Sequence, residues 1–326
     1  MRLPERSLYH PEGLFGCYNQ TMSPKKIALL SLIISSILWA SSGTVAKILL
    51  PSIDPIPLMA IRIGIGISIL IPLYLFKPHK PFVQTISDTW PAILGATGNF
   101  LFFILGVSLT TANAAGIIYT ITPLLTLFLA SKTIQELYTP RRLYGILLGL
   151  FGVAGIMLLP VIEGKASISG NPLGNLLVLC AAFCWTLYIV SSRKAISKKG
   201  YEPLAVTTFS MSGAFIIFLL ITISTEHRPF LSVALSGFHP WLLLYYGALV
   251  TAVTFLIHQW AIKHSSATTA SLTNYLQPVF AFVYNGIFIG EKLTLGFIIG
   301  SIFVLVGTFL ATSEQATAYK NSLKGK

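Results

Sequence analysis

Between Asp88 and Lys132 the chain carries no Asp, Glu, Lys or Arg, and comparable uncharged runs lie between Arg142 and Glu163, Glu202 and Glu226, and Lys292 and Glu314. No aqueous fold of ordinary composition contains such stretches. Soluble domains carry about 25% charged residues, whereas this chain has 10% charged and 54% hydrophobic residues. A bilayer core about 30 Å thick is crossed by roughly 20 apolar residues of helix. The Asp88 to Lys132 interval is therefore long enough for two crossings, with a turn near Leu109–Asn113.

Extended to the whole chain, this spacing predicts ten segments: Ile27–Leu50, Ile56–Phe76, Trp90–Leu109, Ala112–Ser131, Leu143–Val161, Asn171–Ser192, Pro203–Ser224, Pro240–Ile262, Ala267–Gly290 and Leu293–Ser313. Only helices and closed barrels satisfy every backbone group in lipid, and the alternation of a barrel strand is absent. The expected class is an all-α integral membrane protein with ten transmembrane helices. Residues 1–26 are expected to be an N-terminal extension, disordered or misassigned, and the first 21 of them lack the apolar core of a signal peptide. A natural inner flank begins only at Met22. Residues 314–326 are read as a cytoplasmic tail.

The net charge of +12 raises nucleic acid as a partner, but the placement of the charge excludes it. With the N-terminus inside, seventeen Lys and Arg fall in inner segments, four (Lys47, Lys165, Arg228, Lys292) in outer ones, and Arg62 within a span. Such a bias sets topology, with both termini cytoplasmic. Cys180 and Cys184 sit one turn apart in a span and Cys17 lies near the terminus, so neither a disulfide framework nor a metal spacing is present. No Walker loop and no His-Glu-x-x-His zinc motif occurs. No cofactor, metal or catalytic group is expected.

The chain repeats itself. A shift of 155 residues lays Ala112 on Ala267, Ala115 on Ala270, Pro123 on Pro278, Glu136 on Glu291, Gly145 on Gly300 and Gly152 on Gly307. A shift of 146 lays Trp39 on Trp185 and Lys47 on Arg193. The units are residues 27–162 and 171–313, five helices each. Five is odd, so the second unit enters from the opposite side and the two are inverted repeats, an arrangement typical of secondary transporters with a solute site between the repeats. Proline removes a helical donor and displaces the carbonyl four residues earlier. Pro123 and Pro278 are therefore expected to break their helices, freeing the carbonyls of Tyr119 and Asn274. Tyr119, Thr120 and Thr122 at one break, and Asn274, Tyr275 and Gln277 at the other, read either as two halves of one solute site or as polar groups bonding neighbouring helices.

These residues resemble the drug/metabolite transporter superfamily, and within it the ten-helix EamA type: "ILWASSGTVAK" with its tryptophan, "AIRIGIGISIL" with its arginine, and the paired "TPLLTLFLASKTIQE" and "QPVFAFVYNGIFIGE". The resemblance spans Ile27 to Ser313. It implies a carrier of small organic molecules in a bacterial or organellar membrane, within a family that handles amino acids, nucleobases, vitamins and drugs. The first motif departs from the usual glycine-glutamate pair, reading Gln135-Glu136.

Several residues carry two readings. Arg62 contacts an anionic solute or snorkels outward. Trp39 and Trp185 are cavity walls or packing. Asn99 donates to a solute or bridges helices. His258, about a turn from the inner end of its helix, carries protons or is an interfacial histidine. Glu136 and Glu291 couple transport to ions or form salt bridges with nearby Lys or Arg. The glycine pairs Gly145/Gly149, Gly286/Gly290 and Gly296/Gly300 pack within a monomer or across a homodimer. The expected function is a secondary transporter that exports an amino-acid-like metabolite by alternating access. An importer of a nucleoside-type metabolite or vitamin is the alternative, and an intramembrane enzyme or receptor is more remote. No acidic residue is placed in mid-span, which points to facilitated diffusion or exchange.

Overall fold

The computed structural model describes residues 23–110, 115, 118–137, 139–162, 171–225, 236–288 and 295–324. The extension before Ser23 and Glu291 with its surrounding turn lie outside these residues. The described chain is helical: α1 Pro24–Ala40, α2 Ser42–Leu49, α3 Pro55–Leu75, α4 Phe82–Leu109, α5 Thr122–Thr133, α6 Pro140–Ile162, α7 Pro172–Lys199, α8 Pro203–Ser224, α9 His239–His264, α10 Ala267–Ser271, α11 Thr273–Phe288 and α12 Leu295–Lys324. Five of them, α3, α4, α7, α8 and α9, are long and apolar enough to cross a membrane. Large apolar side chains such as Leu94, Phe151, Phe183, Leu220 and Phe309 are exposed on the outside of the bundle. That surface suits lipid and not water. The chain is an integral membrane protein.

Prolines in the first turn start α1, α3, α5, α7, α8 and α9, where the missing N–H costs nothing. The Asn171 side chain caps α7 by accepting from Leu173 N at 2.8 Å, and α7 stops at Gly200 in the left-handed region (φ 68°). Four boundaries differ from the sequence expectation. The sixth segment runs on past Ser192 to Lys199. The third segment starts at Phe82, eight residues before Trp90, and runs through Pro91. The first is interrupted at Ser41. The last continues past Ser313 to Lys324, so the tail carries on as helix.

Pro123 lies at an interruption and Pro278 does not. α5 begins at Thr122 after a turn at Thr120 and Ile121, and the Thr122 hydroxyl bonds the freed Tyr119 carbonyl at 2.7 Å. α11 passes through Pro278 as a continuous helix, and the break in that segment falls at Leu272. There a tight turn, Leu272 N to Thr269 O at 3.2 Å, is stabilised by the Thr273 hydroxyl on Ala270 O at 2.9 Å. At Ser41 the hydroxyl likewise bonds Leu38 O at 2.7 Å. Each interruption is thus satisfied by a hydroxyl reaching the carbonyl three residues back, which makes irregular backbone tolerable at depth.

The closest packing is made by glycine. A Cβ on Gly95 would stand 2.6 Å from Tyr188 N, so α4 and α7 touch backbone to backbone, and Gly145 and Gly152 of α6 face Gly307 and Gly300 of α12 in the same way. These α6 and α12 glycines pack within the chain. Other contacts between the two halves join α3 to α8, α4 to α8, α3 to α9, α1 to α9, α1 to α11, α5 to α7 and α5 to α10. The main buried core lies where α1, α3, α4, α7, α8 and α9 meet, and a second cluster lies between α5, α6, α11 and α12.

Candidate functional site

Aromatic side chains from both halves fill the centre. Trp39, the penultimate residue of α1, stands edge-on to Trp185 of α7 with ring centroids 5.4 Å apart. Phe255 of α9 lies 5.2 Å from Trp39 and 5.9 Å from Trp185. One turn further along, His258 lies 4.9 Å from Trp39 and 5.7 Å from Trp185. The two repeat-equivalent tryptophans therefore meet directly.

His258 corrects the sequence expectation of an interfacial histidine. It is 0% exposed, and its Nε2 lies 3.4 Å from the carbonyl of Ala270. The reason is the fold of α10, which comes back over the end of α9 and covers that turn. A ring nitrogen facing a carbonyl donates to it, so Nε2 carries the proton. Nδ1 of His258 and Nε1 of Trp185 meet no hydrogen-bond partner among the described residues.

Arg62 sits at the other edge of this cluster. Phe100 bridges the two, 5.6 Å from Phe255 and 5.6 Å from the Arg62 guanidinium carbon. Nε donates to Thr251 Oγ1 at 2.8 Å and Nη1 to the Tyr246 hydroxyl at 3.0 Å, while the guanidinium carbon stands 4.0 Å from the centre of the Tyr246 ring. The side chain is 5% exposed, so it does not snorkel. Among the described residues no carboxylate lies within 4.0 Å of it. Its described partners are two hydroxyls, two rings and the Met59 sulfur at 3.9 Å, all neutral, and a guanidinium so held can take a bidentate anion.

The environment of Arg62 is made by an irregularity that sequence patterning does not reveal. Residues Tyr245–Val253 of α9 form a π-helix. Its wider turn lets the hydroxyls of Thr251 and Thr254 bond carbonyls five residues back, at 3.0 and 2.7 Å, and brings Tyr246 and Thr251 to the same side. Gly247 permits the approach, since a Cβ there would stand 2.8 Å from Arg62 O. Tyr245 and Tyr246 also reach the α1 interruption, bonding Ser41 at 2.7 Å and Ser42 at 3.1 Å.

The other candidates divide. Asn99 of α4 donates to Ala181 O at 3.1 Å and to the Tyr119 hydroxyl, so it ties α4, α7 and the turn before α5 together beside the centre. Thr122 is buried and spent on its own helix break. Tyr275 is not at the centre: it packs on Gly149 in the second cluster, where a Cβ would come within 2.6 Å of its ring. Gln277 donates to Asn274 Oδ1 at 3.3 Å, a local contact. Glu136 lies at the end of the bundle that carries the lysines and arginines, on the first residues of α10. Phe100, Phe255, Tyr246 and Thr251 were not singled out from the sequence. Phe255 had one available signal, its position three residues before His258 on the same helical face.

An apolar helical bundle with interrupted helices at depth and a buried charge between two similar halves defines a polytopic membrane protein of transporter type. The chain belongs to the EamA-like transporter family, whose model matches residues 26–158 and 172–313. An uncharacterized transporter of Clostridium kluyveri is 28% identical over 320 residues, covering 92% of this chain and 96% of its own. Another, of Archaeoglobus fulgidus, is 25% identical over 301 residues, covering 90% and 99%. A crystal structure with 19% identity shares the fold at a TM-score of 0.72, covering 88% of this chain and 96% of that one. The protein is a membrane transporter.

Proposed function

We propose that the chain is a secondary carrier for a small carboxylate-bearing metabolite, an amino-acid-like solute moved outward by alternating access between two inverted five-helix repeats. The observation that carries the solute class is Arg62: a buried guanidinium whose described partners are all neutral, at the edge of an aromatic cluster built from both halves. The carboxylate would pair with Arg62, and the apolar or ring-bearing part would lie against Phe100, Phe255, Trp39 and Trp185. The same rings favour the second reading, an importer of a flat nucleoside-type or vitamin solute. Arg62 favours the first reading, because a buried guanidinium is matched best by an anionic group on the solute.

The ten-helix inverted repeat, with units 27–162 and 171–313, is supported by how the helices pair. Exchanging the halves turns the α4–α7 contact into α9–α1, α4–α8 into α9–α3, and α5–α7 into α11–α1. The pairs α3–α8, α6–α12 and α5–α10 each join a helix to its own counterpart. Unrelated halves have no cause to pair this way. The Lys and Arg bias favours a cytoplasmic location for both termini, and the bacterial relatives favour a bacterial inner (plasma) membrane. No carboxylate lies in the central cluster among the described residues and His258 spends Nε2 on Ala270, so exchange or facilitated diffusion is favoured over proton coupling.

The test is a ligand panel arranged as matched pairs, each carboxylate beside its amide or ester, read by thermal shift on the purified protein. Stabilisation by carboxylates alone, lost in Arg62→Gln, is the expected result. Equal stabilisation by both members of each pair would remove Arg62 as the anion contact.

A further inference from the structure

At the basic end of the bundle α5 ends in a strained turn. Gln135 is the one non-glycine residue with positive φ among the described residues, at 58°. That conformation suits glycine, and the repeat equivalent of Gln135 is Gly290. The turn carries Glu136 out of the first half and onto the second. Its Oε1 accepts from Ala267 N at 2.7 Å, and its Oε2 from Thr268 N at 3.1 Å and Thr268 Oγ1 at 2.9 Å. Two arginines complete the contact. Arg142 Nη2 donates to Ser266 Oγ at 2.8 Å and Thr269 Oγ1 at 3.2 Å. Arg193 Nη1 holds the last carbonyls of α9, Ile262 O at 2.7 Å and Lys263 O at 2.8 Å, with its Nε 3.8 Å from Glu136 Oε1.

We propose that Glu136, with Arg142 and Arg193, is a clamp between the halves that holds the α9–α10 corner against the end of α5 and keeps the centre closed toward the basic end. Release of the clamp is the step that opens that side. The corner is held at three places: the first amides of α10 and the Thr268 hydroxyl by the carboxylate, the Ser266 and Thr269 hydroxyls by one guanidinium, and the carbonyls ending α9 by another. The corner also sets the centre. Ala270 O holds His258 against Trp39 and Trp185, and Gln259 Nε2 bonds Ser192 Oγ at 2.9 Å on α7. Glu136 touches no ring of the cluster and acts through this corner, as a positioning residue. The strained Gln135 stores against the closed form part of what the carboxylate contributes to it, which leaves the clamp closed but releasable.

This inference rests on the alternating-access reading, and one labelling experiment separates the two. Ser192→Cys is placed on α7 between Trp185 and the clamp, in a full-length chain without Cys17, Cys180 and Cys184, and a membrane-impermeant maleimide is applied from either face of oriented vesicles. Glu136→Gln should raise labelling from the basic end about tenfold and leave the opposite face unchanged, while Glu202→Gln, which breaks an exposed pair with Lys263, should do neither. Faster labelling from both faces would mean general loosening and would overturn the clamp, as would an unchanged rate in a folded variant. If Glu136→Gln does not fold, Gln135→Gly decides: slower labelling from the basic end supports the clamp, and an unchanged rate overturns it. Labelling from both faces at one rate in the parent chain would overturn alternating access and the clamp together.

Discussion

Arg62→Met separates a binding role from a structural one, because the two predict opposite changes in stability and selectivity. A charged side chain at mid-membrane costs at least about 2.5 kcal/mol. Its hydrogen bonds to Thr251 and Tyr246, at 2.8 and 3.0 Å, are bonds to a charged group and return about 1.5 kcal/mol each at the low end of their range, and the Tyr246 ring at 4.0 Å returns about 0.5 kcal/mol more. The terms nearly cancel. Removal also strands nothing, since the Tyr246 hydroxyl keeps Ser42 and the Thr251 hydroxyl keeps Tyr246 O. Arg62→Met should therefore change unfolding stability by less than about 1 kcal/mol, within the range of volume-conserving swaps. Binding should respond differently. A hydrogen bond to a charged group is worth about 1.5–3 kcal/mol, so the affinity for a carboxylate solute should fall by roughly ten- to a hundredfold, while its amide is little affected. The assay is denaturant or thermal unfolding in detergent beside ligand titration of a matched carboxylate and amide. A loss of several kcal/mol in stability with the carboxylate preference intact would show that Arg62 is a packing residue and refute the reasoning.

Gly307→Ala should destabilise the α6–α12 pair by about 1–3 kcal/mol, because its Cβ would stand 2.5 Å from Gly149 N. Gly155→Ala, whose nearest neighbour would be Gly300 Cα at 4.0 Å, should be close to neutral; equal effects in thermal unfolding would mean the interface yields. Tyr119→Phe removes one of two acceptors from Asn99 and should weaken solute binding by about 1 kcal/mol, with unchanged affinity marking the Asn99 contact as helix packing alone. Single cysteines at Gln135 and Lys292 should be labelled from opposite faces of intact cells, and labelling of both from one face would dispose of the inverted repeat.

The membrane class was legible because absence of charge over forty residues has few physical meanings, and Trp39 and Trp185 were legible as equivalents because the repeat preserves residue type, although their direct contact was not. Pro123 marked a real interruption. Leu272 was hidden, because the break there comes from a threonine hydroxyl on a nearby carbonyl, and Ser and Thr are too common in membrane helices to flag one. Arg62 announced itself by its charge, but Tyr246 and Thr251 reach it through a π-helix, and the register of a helix is set by packing that local sequence does not display. His258 was misjudged for a related reason: its distance from the helix end suggested the interface, yet α10 folds back over that end and buries it. Glu136 was weighed as a salt bridge with a nearby basic residue, and Arg193 does lie near it, but its closest partners are backbone amides and a hydroxyl, which leave no trace in composition.

The central claim is that one solute site is presented alternately to the two sides, and counterflow in proteoliposomes tests it most directly. With a carboxylate solute identified by thermal shift, vesicles preloaded with the unlabelled compound should take up the labelled compound faster than empty vesicles. The acceleration should be lost in Arg62→Gln, and an imposed pH gradient should not drive accumulation of a non-titrating solute. Uptake that is indifferent to preloading and does not saturate would contradict a carrier, and accumulation driven by the pH gradient and abolished in His258→Gln would contradict exchange.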